Sequence, residues 1–256
     1  MPLFPVIHED SELLVIHKPA GLVCHPTKGD AWSSLIGRVR LHLGLGSEPQ
    51  MVHRLDRETS GVMVFGKTPD ASLELRRAWE MGLVTKEYVA LVYGEVPGVR
   101  GVCDAPLGRD LASEVAVRDC VRPDGAPART SWWRERIVHR PEGTFTLLRL
   151  RPDTGRKHQI RIHLAHLGHP VVGDKLYGPE PAAYLAFVQR RLTAGQRARL
   201  LVPCQALHAG RLWFPWRGAE REFSAPPESW FNSFLEGLPV DWTDDPFDPQ
   251  RPGSGS

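Results

Sequence analysis

This 256-residue sequence contains few cysteines and has almost no net charge. The four cysteines, Cys24, Cys103, Cys120 and Cys204, are far apart and form no CxxC pair. That spacing argues against a zinc site or a disulfide framework and fits reduced thiols in a cytoplasm. The 32 basic and 30 acidic residues leave a net charge of only +2. This balance excludes a protein that binds nucleic acid through a high overall positive charge, as histones do. An anionic partner would therefore have to bind to a local basic patch.

Long apolar runs and a leader sequence are also missing. No apolar stretch approaches the length needed to span a bilayer. The first residues, MPLFPVIHEDSE, carry no basic region and soon reach the acids Glu9 and Asp10, so they do not form a signal peptide. Hydrophobic residues make up 41% and charged residues 24%, as in ordinary globular proteins. We therefore expect a cytoplasmic protein without a membrane association.

Strands and helices are predicted from the spacing of apolar residues and from turn signals. The predicted strands lie at 11–18, 62–65, 85–94, 130–138, 144–151, 206–214 and 219–224. The predicted helices lie at 32–44, 69–81, 156–167, 182–193 and 228–237, and loops with short strands fill 96–129. Several strands follow one another through short turns. We therefore expect a mixed α+β fold with a largely antiparallel central sheet flanked by helices and loops.

The run HRLDRETSG, residues 53–61, surrounds one carboxylate with charge just before the apolar run 62–65. Arg54 and Arg57 would lower the pKa of Asp56 and keep it ionised. A loop held by a buried strand is a good place for a reactive group, and an ionised carboxylate can act as a nucleophile or a base. A structural ion pair or a solvated turn is the alternative that these residues alone leave open.

A second group of charges lies in TGRKHQIRIHLAHLGHPVVGD, residues 154–174. Arg156, Lys157 and Arg161 would cluster at a helix start, and Arg149 and Arg151 on the preceding strand would extend the patch. Such a patch could contact several phosphates. Alternatively, one of these arginines could turn inward and pair with Asp56.

Histidines and one tyrosine complete the candidate residues. His163 and His166 are three residues apart on the predicted helix and could face one metal, but neither a third ligand nor an HExxH pattern accompanies them. We therefore favour packing and hydrogen-bonding roles for the histidines and predict no metal. Tyr88 shares a strand face with Ala90 and Val92, which fits either a core residue or a plate on which a planar base stacks.

These segments together resemble the RluA-type family of RNA pseudouridine synthases. The resemblance is carried by LLVIHKPAGLVCHPTKG, HRLDRETSG, KEYVALVYG, GRKHQIRIHLAHLGHPVVGDKLYG, ALHAGRLWF and FSAPPESWF, in the order found in that family. It covers roughly residues 8–237. It implies isomerisation of uridine to pseudouridine within RNA, without a metal or another cofactor, after the target base has been flipped out.

The resemblance also implies a role for individual residues. Asp56 is expected to be the catalytic nucleophile, and Arg54 to fill the gap left by the flipped nucleotide. Tyr88 is expected to stack on the uracil and to assist proton removal, and Arg161 to form the salt bridge that orients Asp56. The remaining expected substrate contacts are Arg57, Arg156, Lys157, His158 and Ile160.

The resemblance leaves some points open. We expect one catalytic domain at 1–238, without the S4-like module that many relatives carry, and a flexible tail at 239–256. Phe214-Pro215-Trp216 stands where many members continue with His-Pro, which affects local detail only. The target could be ribosomal or transfer RNA, and we expect a monomer without a protein partner. Two alternatives are a non-catalytic RNA-binding module on the same fold and a metal-dependent hydrolase built on the histidines.

Overall fold

The computed structural model describes residues 4–26, 33–44, 46–180, 182–240 and 242. Its strands are β1 (Val6–Glu9), β2 (Leu13–Lys18), β3 (Gln50–Met51), β4 (Ser60–Gly66), β5 (Thr85–Tyr93), β6 (Arg100–Asp104), β7 (Leu107–Arg109), β8 (Asp119–Val121), β9 (Arg129–Arg140), β10 (Gly143–Pro152), β11 (Leu207–Trp216) and β12 (Ala219–Ser224). Its helices are α1 (Leu35–Leu43), α2 (Pro69–Glu80), α3 (Gln159–His166), α4 (Ala183–Val188), α5 (Ala194–Leu200) and α6 (Ser229–Leu235). Most of the predicted tail at 239–256 and residue 32 of the first predicted helix lie outside the described residues.

The chain divides into two compact units, and the first comprises residues 1–87 and 208–228. Its strands are ordered β1, β2, β4, β11, with β3 paired to β4 and β12 to β11. All of these pairs are antiparallel except that of β4 with β11. Helix α2 packs on this sheet through Ala71 and Leu75, which join a buried cluster with Val62, Val64 and Phe214. The first unit therefore has its own apolar core.

The second unit comprises residues 88–207 and 229–256. Strands β5, β10, β9 and β6 pair antiparallel in that order, and β7 and β8 form a separate two-stranded sheet. A second buried cluster joins α3 to β7 and to neighbouring loops through Leu107, Ala128, Ile162, Leu176 and Tyr177. Among the described residues, no helix combines the length and the apolar content needed to cross a bilayer.

The predicted fold class is confirmed, since the protein is a mixed α+β structure with mostly antiparallel strands. The predicted start of α2 is also correct: Thr68 caps the helix by accepting a hydrogen bond from the Ala71 amide, and Pro69 is its first residue.

Two predicted helices have wrong boundaries. The helix predicted at 156–167 begins only at Gln159, because His158 adopts a left-handed backbone conformation with φ 56°. The helix predicted at 182–193 contains only α4, which ends before Arg190. Arg190 has a left-handed backbone conformation with φ 55°. Helix α5 follows it and was not predicted. The short strands β1 and β3 were missed as well, because each is defined by pairing with a neighbouring strand rather than by its own pattern.

Candidate active site

Asp56 lies in the loop that connects β3 to β4, and part of this loop is buried. Leu55 and Glu58 are buried on either side of it, whereas Arg54 and Arg57 are exposed. Asp56 itself is half-buried. The Thr59 amide donates to the Asp56 carbonyl over 3.1 Å, which closes a tight turn before the strand. The sequence therefore alternates residues that anchor this loop with residues that reach solvent.

A fully buried lysine fixes the backbone next to Asp56. Lys18, at the end of β2, has no exposed surface. Its Nζ donates to the carbonyls of Pro19 (2.9 Å), Leu22 (2.9 Å) and Arg57 (3.0 Å). An ammonium group has three donors, and a buried charge is stable only when such donors are satisfied. The KPAG segment, residues 18–21, thereby binds the Asp56 loop across a sequence separation of 39 residues.

Further contacts hold the same loop from both sides. The Gly21 amide donates to the Arg57 carbonyl over 2.8 Å, and the Cys24 thiol lies 3.2 Å from the Leu55 carbonyl. At the other end, Gly61 has φ 128° and lies against the backbone of Ala209 on β11. A Cβ at Gly61 would overlap that backbone, so glycine is required there. The backbone that carries Asp56 is therefore fixed before any substrate binds.

His53 anchors the start of the loop rather than contributing a charge. Its Nε2 accepts a hydrogen bond from the Val64 amide over 3.1 Å, and its ring stacks on Trp79 with centroids 4.7 Å apart. Burial, helped by the positive charge of Lys86, lowers the pKa of His53 to about 3. His53 is therefore neutral at physiological pH and acts as a hydrogen-bond acceptor for β4.

A second neutral histidine connects β4 to β11. The Ser60 hydroxyl lies 2.9 Å from Nδ1 of His208, and Nε2 lies 2.9 Å from the Ala225 carbonyl. Because a carbonyl can only accept, Nε2 carries the proton and Nδ1 accepts from Ser60. Burial, together with a smaller effect of the nearby His17, lowers the pKa of His208 to about 4. The ring of His17 lies 5.5 Å from that of His208.

Titration of His208 should make the protein less stable in mild acid. Its folded-state pKa is depressed, so below about pH 6.5 the unfolded chain binds a proton that the native state refuses until about pH 4. We expect this group to remove about 2 kcal/mol from the free energy of unfolding between about pH 7.5 and about pH 5. Urea unfolding across this range should show a shallower decline for His208→Asn than for the wild type.

His25→Asn, at an exposed position, is the control for removal of a histidine side chain. An unchanged decline in His208→Asn would place the titration elsewhere.

In the second unit, Tyr88 lies on β5 opposite Leu150 of β10. It is half-buried, and its neighbours on the same strand face, Ala90 and Val92, are fully buried. Helix α3 packs on this same face of the sheet, through contacts to Thr130. The side chain of Tyr88 thus belongs to the covered, apolar face of the sheet.

Arg161 on α3 is held by Asp174, a residue that has no role in the sequence analysis. The Arg161 Nε donates to Asp174 Oδ2 over 2.6 Å and Nη2 donates to Oδ1 over 2.8 Å. Both side chains are almost completely buried. Oδ1 also accepts from the amides of Leu176 and Tyr177, each at 2.9 Å. Burial opposes ionisation of Asp174, but Arg161 and these amides hold its pKa below the usual value.

The residues around the start of α3 form a hydrogen-bond network centred on buried Gln159. Its Oε1 accepts from the Arg156 amide (3.0 Å) and its Nε2 donates to Thr130 Oγ1 (3.0 Å). Thr130 Oγ1 also lies 2.9 Å from His163 Nδ1, while His163 Nε2 lies 3.0 Å from the Ala105 carbonyl. Both ring nitrogens of His163 are therefore engaged in hydrogen bonds. Among the described residues, no group of three or more potential ligands could hold a metal.

The remaining predicted contact residues lie at or just before α3. Lys157 pairs with Asp119 over 2.9 Å, and Arg156 Nε donates to the Pro127 carbonyl over 3.1 Å. His158 Nδ1 lies 3.0 Å from the Tyr177 hydroxyl, and Ile160 is buried.

The predicted basic patch is divided by the sheet. Arg149 lies opposite Trp133 and Arg151 opposite Ser131, so both point away from the face that carries Thr130 and α3. Their guanidinium groups lie over the Trp133 ring, at 4.6 and 5.8 Å from its centroid. The expectation that they extend the α3 patch was wrong, because side chains alternate between the two faces of a strand.

Sequence reasoning missed three residues that order these loops: Lys18, Asp174 and Gln159. Each lies inside a quoted motif, and each is a polar side chain with an apolar residue or glycine on one side. That environment is the one available signal, because a polar residue in an otherwise buried segment must find partners.

The chain resembles known proteins over most of its length. The sequence model of the family described as RNA pseudouridylate synthase matches residues 12–166. The ribosomal large subunit pseudouridine synthase D of Haemophilus ducreyi is 36% identical over 245 residues, which cover 93% of this chain and 71% of that protein. The protein of the same name from Nitrosomonas europaea is 38% identical over 81% of this chain and 56% of its own length. An uncharacterized RNA pseudouridine synthase from Chloroflexus aurantiacus is 39% identical over 82% and 61%.

Solved structures agree with these sequence matches. Human RNA pseudouridylate synthase domain containing 4 superposes with a TM-score of 0.69 and 26% identity, covering 91% of this chain and 92% of that one. Human RNA pseudouridylate synthase domain containing 1 gives the same TM-score at 25% identity, with coverage of 88% and 84%. The chain spans 56–71% of the length of the three curated relatives described above, so a sizeable part of each relative has no counterpart in the alignment.

Proposed function

We infer that this chain, which belongs to the RNA pseudouridylate synthase family, converts uridine to pseudouridine in large-subunit ribosomal RNA. Its enzyme class is that of the family, an RNA uridine-to-pseudouridine isomerase. The choice of ribosomal RNA rests on the names of the Haemophilus and Nitrosomonas relatives. Transfer RNA is the alternative target.

The observation that carries the proposal is the position of Asp56 on a backbone fixed by Lys18, Gly21 and Gly61. A nucleophile must be held at one geometry while its carboxylate remains within reach of substrate, and a half-buried residue on an anchored loop meets both needs. Attack on C1′, attack on C6 and removal of a ribose proton are all compatible with this placement. In each case the N1–C1′ bond breaks, the uracil turns, C5 bonds to C1′ and loses its proton, and N1 gains a proton.

The target uridine has to leave the base stack, because its reacting atoms are inaccessible in a paired helix. We propose that exposed Arg54 occupies the space left by the flipped nucleotide and that Tyr88 stacks on the uracil. Arg161 would orient the carboxylate of Asp56, a role supported by the rigid guanidinium geometry that Asp174 imposes. Ile160 would line the pocket, and Arg57, Arg156, Lys157 and His158 would contact the RNA. These residues perform the proposed reaction without a metal or another cofactor.

Pseudouridine mapping of total RNA from the source cell, with and without this gene, tests the proposal. We expect one or a few uridines of the large-subunit ribosomal RNA to lose the modification when the gene is absent. A loss confined to transfer RNA would overturn the proposed target and retain the activity. No change in any RNA, together with retained RNA binding by the purified protein, would favour the non-catalytic RNA-binding alternative. A cytoplasmic monomer without a protein partner remains our proposal for its working state.

Tyr88→Phe separates stacking from proton transfer. Phenylalanine retains the ring on which a uracil stacks and removes only the hydroxyl group. We expect RNA affinity to change by less than about twofold, since stacking supplies the binding contribution of this side chain. Single-turnover assays on an unmodified RNA transcript should then show whether the rate falls by about 100-fold, the value typical of a lost general acid or base. An unchanged rate would assign stacking alone, and Tyr88→Ala should then weaken binding.

A further inference from the structure

One segment of the chain contains arginine but no acid. Residues 181–219 include six of the 32 basic residues and none of the 30 acidic residues, so the rest of the chain carries a net negative charge. Four of these arginines, Arg190, Arg191, Arg197 and Arg199, lie on or between helices α4 and α5. A chain that is nearly neutral overall therefore concentrates positive charge in one short segment that contains α4, α5 and the turn between them.

The two arginines between the helices have the fewest internal contacts. Arg190 and Arg191 are exposed, and within the described part of the chain their side chains make neither a hydrogen bond nor an ion pair. In contrast, Arg199 pairs with Glu180, and Arg197 lies over the ring of Trp242. Arg190 and Arg191 are thus available to a partner outside the chain.

The backbone that carries these two residues is well defined at both ends. The Arg190 amide donates to the Phe187 carbonyl over 3.0 Å and the Arg191 amide to the Ala186 carbonyl over 2.7 Å, which is the double hydrogen bond of a Schellman motif. Thr193 and Gln196 then form a capping box at the start of α5. The turn is therefore a fixed platform rather than a loose loop.

Arginine is an unfavourable choice for position 190, the residue that follows the C-cap of α4. Arg190 has φ 55°, in the left-handed region where glycine is strongly preferred because it has no Cβ. A residue in a costly conformation on the surface contributes little to folding, so its side chain invites a functional explanation.

We propose that the turn formed by residues 189–193 binds the RNA backbone, with Arg190 and Arg191 each contacting a phosphate. This inference rests on the proposed function, which makes RNA the substrate. Guanidinium groups bind phosphate through paired hydrogen bonds, and the lack of acids in the segment favours a polyanion. The contact is independent of sequence and adds affinity outside the residues that take part in the reaction.

Arg190→Gly tests the inference because it should move stability and binding in opposite directions. Glycine relieves the left-handed conformation, so the Tm should rise by about 2 °C. Loss of one phosphate contact should lower the slope of log Kd against log salt for single-stranded poly(U) by about 0.7. Arg190→Gly/Arg191→Gln should lower it by about 1.4. A higher Tm with wild-type affinity and slope would overturn the inference.

Arg77→Gln/Arg221→Gln is the matched control. Both residues are exposed and the double substitution removes the same net charge, but from α2 and from the acid-flanked strand β12. An equal loss of slope in this control would show a general charge effect and would also overturn the inference.

Pseudouridine formation by the wild-type protein on an unmodified ribosomal RNA transcript is measured in parallel. If the wild type is inactive but Arg190→Gly still weakens poly(U) binding relative to the control, the proposed reaction fails and the RNA-binding turn stands. If the wild type is active and the variants bind poly(U) normally, the reaction stands and the binding turn fails.

Discussion

Asp56→Asn is expected to lower the rate of pseudouridine formation by about four orders of magnitude while leaving the fold unchanged. The amide is nearly isosteric with the carboxylate but has neither its charge nor its nucleophilicity, and removal of a nucleophile typically has an effect of this size. The loop should persist, because Lys18 and Gly21 hold it through the Arg57 carbonyl and not through the Asp56 side chain. Single-turnover assays with a tritium-labelled transcript would measure the rate.

Binding and folding have to be measured in the same variant. We expect the affinity for the transcript and the Tm of Asp56→Asn to match those of the wild type. Asp70→Asn, an exposed carboxylate in the first turn of α2, is the matched control and should keep full activity. A rate near that of the wild type in Asp56→Asn would remove the nucleophile role from this residue and leave it as a structural member of the loop.

Asp174→Asn should produce the largest loss of stability among the substitutions considered. The substitution removes the negative charge that neutralises the buried guanidinium group of Arg161. Removing one partner of a buried ion pair typically costs about 3–5 kcal/mol. Asparagine retains an oxygen for the amides of Leu176 and Tyr177, so the loss reports on the charge pair. Urea unfolding at neutral pH would measure it. Asp153→Asn, which removes an exposed ion pair with Arg129, should change stability by less than about 1 kcal/mol.

The pH dependence identifies the same pair. The pKa of Asp174 is lowered in the folded state, so its stabilising contribution is complete above the unfolded value near 3.8 and is lost as the pH falls below it. The wild type should therefore lose part of its stability below about pH 4, and Asp174→Asn should lose correspondingly less over that range. This acid transition lies below the range assigned to His208. A variant as stable as the wild type at neutral pH would show that the pair contributes nothing net.

Local signals were sufficient for some elements of the fold. Thr68 and Pro69 define the start of α2 from two adjacent residues, and the pair of strands predicted at 130–138 and 144–151 is confirmed as β9 and β10. The fold class followed from the order of such elements. These features depend on neighbours within a few residues, which the sequence displays directly.

Features that depend on distant residues were not predictable in the same way. The burial of Lys18 follows from a carbonyl 39 residues away, and the pairing of Arg161 with Asp174 follows from how the chain returns after α3. The left-handed conformations of His158 and Arg190 were missed because neither residue is a glycine or an asparagine. The site residues themselves were found through the resemblance of whole motifs, since single charges around Asp56 fit a surface ion pair equally well.

The contact of Gly61 with Ala209 sets the minimum length of an active fragment. The segment by which the family is recognised ends at residue 166, yet β4 leaves the Asp56 loop along β11, where Ser60 and Gly61 pair with His208 and Ala209. A fragment trimmed to the recognised segment would expose the edge of β4 and leave the Ser60 hydroxyl without its histidine acceptor. Any shortened version designed for expression or engineering therefore has to extend at least through β11, some 50 residues beyond the recognised segment.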